Sequence, residues 1–316
     1  MGRRGGVGGM YVQIGGIEQW IQIGTENRDN PVLLFLHGGP GGSSRPAAAA
    51  WRSWEECFIV VHWDQRGAGL TLSRNGEERC GPLTVDRIVN DGIEVVDFLR
   101  SRLEKAQILL VGHSWGSVLG VHMLKRRPEL FSAYVGTGQM VNKRRNEEVN
   151  YRRLVAQAKA AENAEASATL AEIGPSPFLD RDKVRKLRQL GDALASGNGD
   201  DVFMRPHPLP SEFTQEAREL ISRGRDYSSA QLFAEMCNVD LPSLGLAFET
   251  PMFCFHGSCD QQTPIELAEQ YFADIRAPTK EFVCLEGCHH FVVFNRPDAF
   301  LSEMLARVRP IVVGSR

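Results

Sequence analysis

Three short apolar runs stand out along the chain: VLLFLHG (Val32 to Gly38), FIVVHWD (Phe58 to Asp64) and ILLVG (Ile108 to Gly112). Each is too short for a helix and shows no alternation, which predicts strands buried on both faces. Ahead of them, YVQIGGIEQWIQI (Tyr11 to Ile23) alternates around Gly15-Gly16 and predicts an antiparallel hairpin. Between Thr84 and Leu103 the spacing becomes helical, with Val85, Ile88, Val89, Ile93, Val96, Leu99 and Leu103 on one stripe and Thr84 placed to cap it. A further helix runs from Val118 to Leu124 and closes at Pro128, and Ala133 to Gly138 is one more strand. Strands alternating with helices imply an α/β protein whose mostly parallel sheet carries helices on both faces.

The pattern then changes. Residues 139–245 show no buried-strand period; Glu147 to Ile173, Arg181 to Ala195 and Ser211 to Arg223 read as helices, separated by Pro175, Pro177, SGNGD and RPHPLPS. This segment is expected to be a helical cap inserted into a core formed by 11–138 and 246–316, with 1–10 as a flexible tail. The basic clusters Lys143-Arg144-Arg145 and Arg181 to Arg188 read as solvated helix faces, and a site for an anionic substrate is the sharper alternative. The α/β pattern resumes with PMFCFHG (Pro251 to Gly257), a helix from Pro264, EFVCLEG (Glu281 to Gly287) and a final helix from Pro297.

Composition narrows the class without naming it. The chain has 316 residues, 42% of them apolar and 24% charged, with a net charge of −3 from 36 basic and 39 acidic residues. That is a globular composition, and it lacks the basic excess of a nucleic-acid-binding protein. The seven cysteines are odd in number and scattered, so free thiols in a reducing compartment are expected. MGRRGGVGGM is not followed by an apolar stretch, and no run approaches the length of a membrane span. A cytoplasmic protein that engages neither membrane nor nucleic acid is expected, acting on a small molecule or short peptide.

Chemistry enters at Gly112-His113-Ser114-Trp115-Gly116, which fits Gly-x-Ser-x-Gly between a predicted strand and a predicted helix. In that context the turn is sharp, the residues two before and two after the serine must be small, and the hydroxyl stands at the carboxyl end of the sheet. Serine is a weak nucleophile and needs a histidine base oriented by a carboxylate. With the chain order serine, acid, histidine, a base late in the sheet leaves His289 and His290 among eight histidines. Asp260 lies four residues past the strand ending at His256 and is the favoured acid, with Asp240 as runner-up. Donors for an oxyanion are expected from the Trp115 N–H and from the loop HGGPGGSS (His37 to Ser44), where Gly39 is chosen.

HGGPGG, DQRGAGLT (Asp64 to Thr71), GHSWGS and GSCDQQTP together resemble the α/β-hydrolase fold, and more narrowly the proline iminopeptidase (prolyl aminopeptidase) family of serine peptidases. The resemblance covers roughly residues 10–138 and 250–316 and does not reach through the insertion. It implies Ser114 as nucleophile, Asp260 as acid and His290 as base, with His289 standing where that family usually has glycine. Thr71 replaces the usual serine at the end of the Asp-Gln-Arg-Gly loop. The family's acidic motifs for a substrate's free amino group are absent; Glu147, Glu148 and Glu235 are the possible substitutes.

The resemblance therefore implies a cofactor-free serine hydrolase with a Ser-Asp-His triad, acting through an acyl-enzyme as an aminopeptidase or amidase. The alternatives are an esterase or lactonase, an acyl transferase or cyclase using the same triad, and a non-catalytic binder on the same fold. A metal site in CLEGCHH is disfavoured because no second ligand cluster is evident, and GGVGGM precedes the first strand, where a dinucleotide fingerprint would follow it.

Overall fold

The computed structural model describes residues 8–176, 178, 180–196 and 214–314. Eight strands form one sheet: β1 (Gly8–Ile14), β2 (Ile17–Gly24), β3 (Val32–Leu36), β4 (Ile59–Asp64), β5 (Ile108–His113), β6 (Phe131–Thr137), β7 (Met252–Gly257) and β8 (Lys280–Leu285), in the order β1-β2-β4-β3-β5-β6-β7-β8. β1, β2 and β4 pair antiparallel, and the remaining pairs are parallel. The helices are α1 (Arg52–Glu55), α2 (Gly69–Cys80), α3 (Val85–Leu103), α4 (Trp115–Arg126), α5 (Lys143–Ala160), α6 (Ala164–Ile173), α7 (Arg181–Ser196), α8 (Gln215–Met236), α9 (Ile265–Asp274), α10 (Val292–Asn295), α11 (Pro297–Glu303) and α12 (Arg309–Gly314).

The predicted strands β3 to β7 are present because each run can be buried twice over. In β3, Leu33 and Phe35 join a cluster with Trp51, Trp54 and Phe300 on one face. Leu34 and Leu36 join Val89, Val96, Val118 and Leu119 of α3 and α4 on the other. The period of two in a strand makes one run serve both layers. Thr84 caps α3 as its position predicts, its hydroxyl accepting from the Arg87 N–H at 3.1 Å. Gly15 and Gly16 turn the hairpin with φ of 56° and 81°.

Several boundaries differ from the sequence reading. β1 begins at Gly8, so the tail expected over 1–10 is corrected at its last three residues, which pair with Ile23, Gln22 and Ile21 of β2; residues 1–7 lie outside the described residues. Glu147 to Ile173 breaks into α5 and α6 at Ala161–Asn163. The helix expected over Ser211 to Arg223 runs instead through Gln215–Met236, and Ser211 to Phe213 lie outside the described residues, as do 197–200 and RPHPLP. Helix α2 was not foreseen. Its sequence GLTLSRNGEERC carries few apolar positions, and Gly76 breaks its backbone.

The strand order reverses between β3 and β5, because the chain runs from β3 to β4 on one side and then crosses to β5 on the other. Ligands of open α/β sheets settle at such a switch point, outside the carboxyl ends of the strands. Helices α5 to α7 carry a small core of their own, including Leu154, Leu170, Ile173, Phe178, Val184 and Leu187. They meet the sheet from its carboxyl side: Asn150 Nδ2 donates to the Gln262 carbonyl at 3.3 Å, and Ser228 Oγ of α8 donates to the Gly67 carbonyl at 2.9 Å.

Candidate functional site

Ser114 sits between the end of β5 and the first residue of α4 with φ 54° and ψ −117°. A non-glycine residue there costs about 1–3 kcal/mol and persists only where its surroundings hold it. Its N–H donates to the Thr137 carbonyl at 3.0 Å, and its carbonyl accepts from the Ser117 N–H and hydroxyl at 2.9 and 2.6 Å. The flanking glycines are sterically required. A Cβ on Gly112 would lie 2.7 Å from the Gly116 carbonyl oxygen, and one on Gly116 would lie 2.0 Å from that of Leu36.

Asp260 follows β7 and is buried. Its Oδ1 accepts from the N–H groups of Gln262 and Thr263, both at 2.8 Å. Its Oδ2 lies 2.8 Å from His290 Nδ1 and accepts from the Thr263 hydroxyl at 2.7 Å. Burial pushes the Asp260 carboxyl up, and His290 and His256 outweigh it, holding the group well below the usual carboxylate range. An ionised Asp260 accepts the Nδ1 proton of His290, which leaves Nε2 of that ring as the basic nitrogen. The His290 loop is tied to the serine turn through His113, whose Nε2 lies 3.1 Å from the His290 carbonyl and whose ring centroid is 4.9 Å from that of His290. Burial, and then the neighbouring His290, push His113 down to about 3, so it donates as a neutral ring.

The loop after β3 completes this edge. Gln65 reaches across it: its side-chain amide donates to the His37 carbonyl at 3.1 Å and accepts from the Trp115 indole at 3.0 Å. Gln65 N–H also donates to His37 Nε2 at 3.2 Å. Gly39, two residues after His37, lines a cavity of about 250 Å³ together with Lys143, Arg181, Arg185, Arg188 and Asp226. A second, smaller cavity of about 50 Å³ lies among α5, α7 and the Gln261-Gln262 turn. Asn146 Nδ2 and Asn150 Oδ1 are buried there without a hydrogen-bond partner among the described residues.

Ser114, Asp260, His290 and Gly39 thus fall on loops or turns, and Trp115 on the first residue of α4, at the carboxyl ends of β3, β5, β7 and β8. The runner-up acid, Asp240, is elsewhere, accepting at 3.0 Å from the Nδ2 of Asn142, the residue that caps α5. His289 turns away from Asp260, with its Nδ1 3.1 Å from the Cys259 carbonyl. The three candidate amine anchors also separate. Glu148 is exposed beside Arg152, and Glu235 accepts from the Val85 N–H at 2.9 Å at the start of α3. Glu147 is buried in the small cavity but is paired with Lys143 at 2.6 Å.

Three supporting groups escaped the sequence reading. Thr263 bridges Asp260 and the His290 loop, and Gln65 locks the two proposed donor segments together. Both lie within motifs already quoted, so their proximity to the site was the available signal. The third, His256, is buried in β7, with its Nε2 3.3 Å from Asp260 Oδ2 and 2.8 Å from the Thr263 carbonyl. Burial opposes its protonation, and the Asp260 carboxylate favours it. The Gln139 N–H aimed at its Nδ1 from 3.3 Å pulls the other way, and a neutral ring with its proton on Nε2 satisfies every contact. Within the sequence it was one letter of a strand. Among the described residues no three His, Cys, Asp or Glu side chains gather as metal ligands, all seven cysteines are free, and no helix is long and apolar enough to cross a membrane.

An eight-stranded, mostly parallel sheet with a strained serine at its switch point defines the α/β-hydrolase class of folds. Residues 33–303 match the alpha/beta hydrolase family, and the chain belongs to that family. Over 309 residues it is 27% identical to the probable aminopeptidase YbaC of Bacillus subtilis, covering 94% of this chain and 95% of that protein. It is 33% identical to a proline iminopeptidase of Arabidopsis thaliana over 119 residues, covering 38% of this chain and 29% of the relative. Its fold is similar to that of a proline iminopeptidase-related protein from Thermus thermophilus, with a TM-score of 0.64 at 23% identity, covering 98% and 100% of the two chains.

Proposed function

We propose that the protein is a serine hydrolase in which Ser114, His290 and Asp260 act as nucleophile, base and acid. The observation that carries this reading is the 2.8 Å contact between His290 Nδ1 and Asp260 Oδ2 at the same sheet edge as a serine held in left-handed backbone conformation. His290 Nε2 takes the Ser114 proton as Oγ attacks a substrate carbonyl, and the N–H groups of Gly39 and Trp115 hold the resulting oxyanion. His290 then gives its proton to the leaving group, and an ester links the acyl group to Ser114. Water, deprotonated by the same nitrogen, releases the acid. Helices α5 to α8 cap the site. No step calls for a cofactor.

The name of the full-length relative supports an aminopeptidase or amidase within this class. The ion pair of Glu147 with Lys143, and the distant engagements of Glu148 and Glu235, favour the second reading: an esterase or lactonase that needs no free amine. The test compares L-prolyl-4-nitroanilide, its N-acetyl form and a 4-nitrophenyl ester, with Ser114→Ala as blank. Cleavage of the free amine alone supports an aminopeptidase, and cleavage of the ester alone supports the esterase. Equal activity of wild type and Ser114→Ala on every substrate overturns the serine mechanism.

A further inference from the structure

We infer that the substrate carries a carboxylate, which seats in the 250 Å³ cavity between the loop after β3 and helices α5, α7 and α8. This deepens the hydrolase reading above and rests on it for the location of the reacting carbonyl. Gly39, the proposed oxyanion donor, lies on the wall of this cavity, so whatever fills it is adjacent to the chemistry.

The cavity is cationic. Lys143 enters from α5 and Arg181, Arg185 and Arg188 from α7, against Asp226 from α8 as the lining carboxylate. Lys143 is paired with Glu147 at 2.6 Å and Arg185 with Asp182 at 3.0 Å, so four basic side chains line the wall against one lining carboxylate, Asp226, with two of the four already paired. Arg181 has no carboxylate partner among the described residues. The spacing of Arg181, Arg185 and Arg188, four and then three residues, puts all three on one stripe of α7. Like charges so placed repel one another weakly, and an anion facing the stripe would relieve that repulsion.

A second observation points the same way. Arg225 of α8 has no ion-pair partner among the described residues, yet its charge acts on His37 and His113 at the ends of β3 and β5. Water still reaches this side chain, while the surrounding protein desolvates it enough to pull its pKa down. Arg225 lies outside the cavity lining, and its positive charge adds to the field that an anion at this edge of the sheet would meet. Carboxylate fits better than a bare halide, because its two oxygens match the paired N–H groups of a guanidinium. An ammonium group in the same place would be repelled.

Two measurements test this together. The first is calorimetric titration of Ser114→Ala with glutarate and with its neutral counterpart glutaramide. Glutarate is expected to bind and glutaramide not, with glutarate affinity reduced about tenfold in a Ser114→Ala background carrying Arg181→Gln and Arg185→Gln. Absence of glutarate binding, or binding untouched by the double substitution, overturns the proposal. The second measurement locates the anion in the substrate, using 4-nitrophenyl hemiglutarate against 4-nitrophenyl valerate, and 4-carboxyphenyl valerate against phenyl valerate. An advantage of about tenfold in the first pair places the carboxylate on the acyl side, and in the second pair on the leaving group, in each case through KM and weakened by salt. No preference in either pair overturns it as a substrate site. The hydrolase reading fails separately, if the wild type leaves the four esters and both prolyl anilides intact or Ser114→Ala cleaves them equally.

Discussion

The Trp115 indole donates to Gln65 Oε1 at 3.0 Å, and the same Gln65 amide donates to the carbonyl of His37. One side chain therefore spans the segments that carry the two proposed oxyanion donors, one at the start of α4 and the other in the loop after β3. Two N–H groups stabilise a developing charge only when both point at one place, and Gln65 adds a side-chain tie to the backbone packing of Gly116 on Leu36. Gln65 is also 1% exposed, so its bonds are made without competition from water.

Replacing Gln65 with Leu should leave the Trp115 indole and the His37 carbonyl buried and unpaired. Each orphaned group costs about 1–3 kcal/mol. The variant is expected to fold with a lower Tm and to lose about 10²-fold in kcat, because a displacement near 1 Å at the reacting centre has that effect. Steady-state kinetics on the ester that the wild type cleaves, beside thermal unfolding, measures both. Unchanged kcat with lowered Tm would make Gln65 a purely structural residue.

How much of this was legible in the sequence depends on which physical signal each part carries. β3, β4 and β5 declare themselves because a strand buried on both faces is dominated by apolar positions and shows no alternation. Thr84 declares the start of α3 because its hydroxyl has one job there. Ser114 and Asp260 could be singled out from the motif and from chain order, since the sheet fixes which strand end follows which; chain order left His289 and His290 as bases, and the family resemblance chose His290. Helix α2 could not, because it is held by bonds such as Leu70 N–H to Asp64 Oδ2 at 2.8 Å more than by an apolar stripe. The role of Glu147 was hidden as well: an acidic residue on a helix reads the same whether it faces solvent or Lys143, and only packing against α7 distinguishes them. Thr71, noted as a departure, keeps the function of a hydroxyl, donating to the Asp64 carbonyl at 2.6 Å and accepting from the Trp20 N–H at 2.9 Å.

Acid should weaken the fold through histidines, at pH values well above those that protonate carboxylates. His62 is buried against Trp51, bonded to the Ser44 hydroxyl at 2.9 Å, and burial pushes its pKa from 6.5 down to about 3. The folded state then binds fewer protons than the unfolded state at any pH between those values. Its contribution is complete above pH 6.5 and is lost as pH falls toward 3. At pH 5 the loss from this one group is about 2 kcal/mol. Urea unfolding of wild type and His62→Asn at pH 7 and pH 5 isolates it, because the other buried histidines are common to both proteins. The wild type's stability relative to the variant should fall by about that amount between the two pH values. Parallel pH dependences would mean that His62 charges freely in the folded protein.

The last prediction concerns how closely helix α8 is pressed onto the loop that carries Gly39. Gly224 is a mid-helix residue, and in an ordinary exposed helix Gly→Ala stabilises by about 1 kcal/mol. Here a Cβ on Gly224 would lie 2.5 Å from the Gly41 carbonyl oxygen, and a Cβ on Gly41 would lie 2.0 Å from that of Gly224. Both obstructions are backbone, which cannot rotate aside. Gly224→Ala should therefore destabilise, by about 1–3 kcal/mol as overpacking does, in place of the usual gain. Relief is available only by lifting α8 or by shifting residues 39–42, and the second route moves the Gly39 N–H. Activity should consequently fall further than the change in Tm accounts for at a temperature where the variant is fully folded. A raised Tm with full activity would show that helix and loop are not in backbone contact, and the cavity between them would then be wider than 250 Å³.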